Sequence, residues 1–264
     1  MIDFNSKKGF ICDMDGVIYH GNQILPGVIE FIDWLHREEK EFLFLTNNSG
    51  STPKELQQKL QRMGVDVSEE HFYTSALATA SFLKEQSPGC SAYVIGEAGL
   101  LNALYDAGIT MNDVNPDYVI VGEGKSYSLD TLTKAVNLVL NGAKLIGANS
   151  DISGPIEHGI APACRALVAP IELATGKQAY FCGKPNPLMM RTGLKLLGCH
   201  SGEAVMVGDR MDTDIISGLE SGMSTVLVLS GVSTGETIRT YAYRPTIVLD
   251  GVGDIVRLAS ETGK

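Results

Sequence analysis

Two carboxylates stand two residues apart in ICDMDGVIYH, at Asp13 and Asp15, directly after an apolar run. Like charges held close resist ionising together, and carboxylates are poor strand residues. The pair is costly unless a cation or a reaction uses it. Three more stretches place reactive groups after apolar runs. FLFL is followed by Thr46, Asn47, Asn48 and Ser49; AYFC by Gly183, Lys184 and Pro185; AVMV by Gly208, Asp209 and Arg210, with Asp212 and Asp214 just beyond. Four strand ends thus carry two acids, a hydroxyl with amides, an ammonium and a further acid. Taken singly, each has an ordinary explanation: a turn aspartate, loop residues before a helix, a surface lysine before two prolines, a turn with a helix cap. Recurrence at four strand ends makes chemistry the better explanation.

The elements that must position these groups follow from the apolar pattern. Strands are expected at Phe10–Cys12, Phe42–Leu45, Ala92–Ile95, Tyr118–Val121, Lys144–Ile146, Ala179–Phe181, Ala204–Val207 and Thr225–Leu229. Several are continuous apolar runs, as expected when helices cover both faces of a sheet. Helix signals lie between them. In STPKEL, Thr52 is the expected N-cap, Pro53 the first helical residue and Glu55 the return half of a capping box, with a stop at Gly64. A second helix is expected from Ser128 to about Gly142, apolar at Leu129, Leu132, Val136 and Leu140. The charge run HREEKE from His36 reads as a solvated helix end. Alternation of this kind predicts an α/β fold with a largely parallel sheet, in which ligands bind beyond the carboxyl ends of the strands.

Bulk properties exclude several classes. The chain has 264 residues, 44% of them hydrophobic, enough for one large domain or two modest ones. No apolar run approaches a membrane span, and MIDFNSKKGF lacks the apolar stretch of a signal peptide. The net charge of −10, without a basic block, argues against nucleic acid and anionic membrane as partners. An anionic small substrate would need a local metal or lysine to offset that field. Cys12, Cys90, Cys164, Cys182 and Cys199 are odd in number and form no CxxC pair, which points to a reducing cytoplasm. Cys12 is expected to be a small buried hydrophobe.

DMDGV, LTNN, GKPNP and VGDRMDTD, in this order, resemble the haloacid dehalogenase superfamily of phosphatases. LPG, DVNPDYVIVGE, APAC and VLVLSGVS extend the resemblance to the NagD family within it, over nearly the whole chain. The resemblance implies a Rossmann-like core with a parallel sheet at residues 1–78 and 182–264, and an inserted α/β cap at 79–181. It implies magnesium-dependent hydrolysis of nucleoside monophosphates (such as UMP or GMP) or sugar phosphates through an aspartyl-phosphate. Asp13 is then the nucleophile, and Asp15 the acid that protonates the leaving oxygen and later activates water. A strand's period of two would aim both side chains to one side, with Gly16 turning the chain after them. The expected Mg2+ ligands are the Asp13 carboxylate, the Asp15 backbone carbonyl and Asp209. Thr46 and Asn47 would bind phosphoryl oxygens through a hydroxyl and a backbone N–H. Lys184 would hold Asp13 ionised and contact the phosphoryl group. Asp214 would support the metal shell or Lys184, and Asp212 would open the following helix.

Departures from the family fall near the substrate. Asn48 and Ser49 stand where relatives can carry bulkier residues, and ANSD lacks a proline often found between Asn149 and Asp151. Asn149, Asp151 and the loop to Ala161 become candidate cap contacts. VGEGKS resembles a P-loop ending at Gly124-Lys125-Ser126, but the required earlier glycine is Val119, so that reading fails. GEAG at Gly96 lacks the full dinucleotide fingerprint. His20 and His158 read as ordinary surface histidines, with the cap interface as the alternative. A phosphomutase of the same superfamily, or a binding module retaining the fold, are the competing functions. The partner in the first reading is a small phosphorylated substrate. Oligomeric state is open.

Overall fold

Each of the eight expected runs overlaps a strand in the computed structural model, which describes residues 2–125, 127–156 and 159–262. His158 and Ser126 lie outside the described residues. By internal contact the chain divides into two compact units. One comprises Met1–Thr46, Gln57–Tyr73 and Met189–Lys264; the other comprises Asn47–Leu56 and Thr74–Leu188.

The first unit is built on a six-stranded sheet ordered Ile247–Leu249, Ser224–Val228, Ala204–Gly208, Gly9–Cys12, Glu41–Thr46, Phe72–Thr74. Gly9–Cys12 pairs in parallel with Ala204–Gly208 on one side and with Glu41–Thr46 on the other. From the first strand the chain adds strands on one side, then returns to add them on the other. The order therefore reverses between Gly9–Cys12 and Ala204–Gly208, the place where open α/β sheets bind ligands. Both of these strands are buried along their whole length, which is why they read as unbroken apolar runs. Helix Val28–Arg37 buries Val28, Phe31, Ile32 and Leu35, an i, i+3, i+4, i+7 stripe. Phe31 and Trp34 meet Phe10 edge-on, with ring centroids 6.1 and 5.4 Å away. The charge run from His36 is an exposed helix end, as expected.

The second unit has its own five-stranded parallel sheet, ordered Tyr180–Phe181, Lys144–Gly147, Tyr118–Val121, Ser91–Ile95, Thr110–Met111. Tyr118 and Ile120 join Leu100, Leu104 and Leu83 on one face; Val119 and Val121 join Leu138, Val139, Val168 and Ile171 on the other. A strand serving two cores shows no apolar–polar alternation. All five strands fall between residues 91 and 181.

Two expectations about local structure are corrected. Helix Leu129–Leu140 starts at the Ser128 cap, with a capping box to Thr131. Its buried stripe, however, is Ala135, Leu138 and Val139, flanked by Leu132 and Val136. Leu129 and Leu140 are 76% and 57% exposed. At about 100° per residue they sit on the flank of that stripe, and the small Ala135 concealed its true centre. The segment before Ala161 is a hairpin rather than a loop, with Ser153–Ile156 antiparallel to Gly159–Pro162. The capping box of Thr52 and Glu55 forms as expected, each reaching the other's backbone N–H at 3.2 and 2.8 Å.

Candidate active site

In the first unit the parallel ladder runs one residue past the Gly9–Cys12 strand. Asp13 donates its backbone N–H to the Val207 carbonyl at 2.9 Å, which fixes the root of its side chain. The chain then turns sharply. The Met14 carbonyl accepts the N–H groups of Val17, Ile18 and Tyr19, and Gly16 has a left-handed φ of +79°. Asp15 therefore lies in a turn past the strand, and the period-two argument does not govern it. Its side chain is 53% exposed, with His20 Nδ1 3.6 Å from Oδ1.

One carboxylate oxygen from each of Asp13, Asp209 and Asp214 lies within 4.8 Å of the others. All three residues are buried. Asp209 follows the Ala204–Gly208 strand and is held from behind by the loop after Ser224–Val228. Val232 donates its N–H to Asp209 Oδ2 at 2.7 Å, Ser233 donates to the Asp209 carbonyl, and the Ser230 hydroxyl donates to the Gly16 carbonyl at 2.7 Å. A Cβ at Gly16 or at Gly231 would come within 2.6 or 2.0 Å of Asp209 Oδ2, so both positions leave room for that carboxylate. Sequence reasoning noticed VLVLSGVS only as a family trait; its role as the back wall of Asp209 was not legible.

Asp214 sits on a widened helical turn, Met211–Ile215. Its Oδ2 accepts the backbone N–H groups of Asp209 and Arg210, at 3.2 and 3.0 Å. One of its oxygens is thus committed to holding the Asp209 backbone. Asp212 is instead half exposed and paired with Arg210 at 2.9 Å. Thr46 closes the Glu41–Thr46 strand and is buried. Lys59 was not singled out from the sequence. Its Nζ stands 3.7 Å from the centroid of the Tyr19 ring, a cation–π contact. Burial lowers the Lys59 pKa, and the Asp15 carboxylate opposes that shift. Burial, then the charges of Asp15 and Asp13, push the Tyr19 phenol up. Cys12 is fully buried, as expected, and burial raises its thiol's pKa.

In the second unit Asn47 and Lys184 are bound to each other. Lys184 donates its backbone N–H to Asn47 Oδ1 at 2.8 Å, and Asn47 Nδ2 donates to the Lys184 carbonyl at 3.1 Å. Asn47 Nδ2 also donates to Asp151 Oδ1 at 3.1 Å. A Cβ at Gly183 would lie 2.6 Å from Asn47 Oδ1 and 2.8 Å from Asn149, so glycine there permits the close approach. Lys184 is 1% exposed, which removes the reading of a surface lysine before two prolines. Asn149 is buried and donates to the Asn47 carbonyl at 2.6 Å. Ser49 is also buried, bonded to Glu123, and so is a part of this network rather than of an open mouth. Asn48 instead closes a turn, accepting from the N–H groups of Gly50 and Ser51.

Two family models match the chain. Residues 10–110 match the haloacid dehalogenase-like hydrolase model, and residues 181–255 match a second hydrolase-like model of the same group. The chain is 47% identical over 246 residues to a dihydroxyacetone phosphatase of Corynebacterium glutamicum, covering 93% of this chain and 90% of that one. It is 44% identical over 248 residues to the ribonucleotide monophosphatase NagD of Escherichia coli, covering 94% and 98%. The solved structure of NagD superposes with a TM-score of 0.89, over 94% of this chain and 98% of that chain. An acid sugar phosphatase of Staphylococcus aureus is 41% identical over 240 residues, covering 90% and 93%.

Proposed function

The chain belongs to the haloacid dehalogenase-like hydrolases and is a phosphatase, and we propose that it hydrolyses phosphate monoesters of nucleosides and sugars with Asp13 as the nucleophile. The observation that carries this reading is the convergence of Asp13, Asp209 and Asp214 within 4.8 Å at the reversal point of the sheet. Its relatives are named for triose, nucleotide and sugar substrates, which supports small phosphorylated compounds as a class.

In the proposed reaction an Asp13 oxygen attacks phosphorus, and the bond to the leaving oxygen breaks. Asp15 gives that oxygen its proton. Water then attacks the phosphorus of the aspartyl-phosphate while Asp15 takes its proton, and the bond to Asp13 breaks, releasing phosphate. Thr46 supplies a hydroxyl, Asn47 a backbone N–H and Lys184 an ammonium to the phosphoryl oxygens. A set of three buried carboxylates suits a hard divalent cation. Asp13, the Asp15 backbone carbonyl and Asp209 would hold Mg2+, with Asp214 supporting them. Bound there, the cation would neutralise phosphoryl charge and let the acids share one site.

We assign the catalytic core to residues 1–78 and 182–264 and an inserted cap to 79–181. The separate parallel sheet between residues 91 and 181 supports that division. Five free thiols support a reducing cytoplasm, and no helix among the described residues is long and apolar enough to cross a membrane. Phosphate release from UMP, GMP and a panel of sugar phosphates, with wild type and Asp13→Asn side by side, tests the function. Release by the wild type alone is expected; equal release by both would overturn the assignment of Asp13.

A further inference from the structure

Glu123 lies in VGEGKS, the stretch whose likeness to a P-loop fails on spacing, and no step of the proposed reaction uses it. Its carboxylate is nevertheless the centre of the second unit's polar network. Glu123 Oε2 accepts the Ser49 backbone N–H at 3.2 Å and the Ser49 hydroxyl as well, while the Glu123 N–H donates back to Ser49 Oγ at 3.0 Å. Glu123 Oε1 accepts from Asn149 Nδ2. The same Asn149 amide group donates to the Asn47 carbonyl at 2.6 Å, and the Ser75 hydroxyl donates there too. The Asn47 side chain then holds the backbone of Lys184 on both its N–H and its carbonyl. Hydrogen bonds run from Ser49 through Glu123 and Asn149 to the Asn47 main-chain carbonyl, and the side chain of that same Asn47 holds Lys184.

We propose that Glu123 is a positioning residue for phosphoryl binding, acting through Asn149 and Asn47 on Lys184. The proposal rests on the reading of Lys184 as the phosphoryl-binding cation. Its physical basis is the one-way polarity of a carboxylate. A carboxylate accepts at both oxygens, and every side-chain and backbone group facing the two Glu123 oxygens in this network is a donor. Charge-assisted bonds of this kind are the stronger ones, and they fix both Asn149 and the Ser49 backbone. Asn149 is left with one orientation, its Nδ2 toward Glu123 and Asn47, and its Oδ1 accepts the Asp151 N–H at 3.1 Å. With its carbonyl held by Asn149 and by the Ser75 hydroxyl, the Asn47 backbone is fixed at the root of the side chain that binds Lys184. A neutral amide at position 123 keeps the shape but turns one oxygen into a donor facing a donor. The chain of orientations then loses its origin.

The test compares Glu123→Gln, Lys184→Met and the double variant, measuring kcat, KM and competitive inhibition by inorganic phosphate, with thermal unfolding alongside. Displacement of a positioned group by about 1 Å can cost about 100-fold in rate. Glu123→Gln is expected to lower kcat/KM by about 10- to 100-fold and to weaken phosphate inhibition in parallel. In the Lys184→Met background the same change should add little, because its route is already cut. Wild-type phosphate inhibition in Glu123→Gln, or effects that multiply fully in the double variant, would overturn the proposal. Failure of the underlying reading shows separately, as a fully active Lys184→Met, and that result would overturn the proposal as well. Should Glu123→Gln not fold, Ser49→Ala removes the hydroxyl contacts to Glu123 alone. It should weaken phosphate inhibition severalfold, and unchanged inhibition would count against the link.

Discussion

Asn47 and Lys184, 137 residues apart in the chain, share two hydrogen bonds in which the Asn47 amide plays donor and acceptor to the same residue's backbone. The pairing ties the backbone of the buried Lys184 to the Asn47 side chain at both its N–H and its carbonyl. Asn47→Ala removes both bonds, leaving the Lys184 carbonyl its longer bond from the Ser150 hydroxyl at 3.4 Å, and a buried group that loses its partner costs about 1–3 kcal/mol. We expect kcat/KM to fall about 100-fold, with a lowered unfolding midpoint. Steady-state kinetics with a thermal melt check this, and wild-type kinetics would contradict it.

The Asp209 carboxylate fills space that glycine leaves open. Gly16→Ala would impose a side chain on a left-handed residue and drive its Cβ to 2.6 Å from Asp209 Oδ2. The conformation alone costs about 1–2 kcal/mol. Denaturant unfolding should show at least that loss, and turnover should fall with it. A variant as stable and active as the wild type would mean that the turn can relax away from Asp209.

The carboxylate cluster predicts a response to metal that does not depend on turnover. Mg2+ binding the folded state should raise the unfolding temperature of the wild type. Asp209→Asn should lose most of that rise, and excess chelator should both silence the wild type and abolish its shift. An undiminished shift in Asp209→Asn would remove Asp209 from the ligands.

The corrected face of helix Leu129–Leu140 separates two leucines two residues apart. Leu138 is buried in the core and Leu140 is mostly exposed. Leu138→Ala should cost about 2–5 kcal/mol, and Leu140→Ala about 0.5 kcal/mol or less. Chemical denaturation of the two variants decides it; a loss at Leu140 as large as that at Leu138 would contradict the buried face.

These cases also mark what the sequence reveals. Strands buried on two faces announce themselves, because burial leaves no polar residue in Gly9–Cys12's apolar run or in Ala204–Gly208. Groups beyond their carboxyl ends follow from topology, so Asp13, Thr46, Lys184 and Asp209 stand out before any fold is known. The helix face near Ala135 misled, since a small residue adds little to an apolar pattern yet packs closely. Lys59, Ser230, Val232 and Glu123 were hidden for another reason. Each acts through a partner distant in the chain, Lys59 on Tyr19 and Glu123 on Ser49 and Asn149, and no local spacing encodes such pairs.

In the proposed reaction Asp13 takes the phosphoryl group covalently. Acid-quenched enzyme, sampled during turnover of UMP and digested for mass spectrometry, tests it most directly. We expect a phosphoryl adduct on the peptide containing Asp13, mapped to that residue, and none in Asp13→Asn. An adduct on Asp15 or elsewhere, or turnover surviving in Asp13→Asn, would contradict the account.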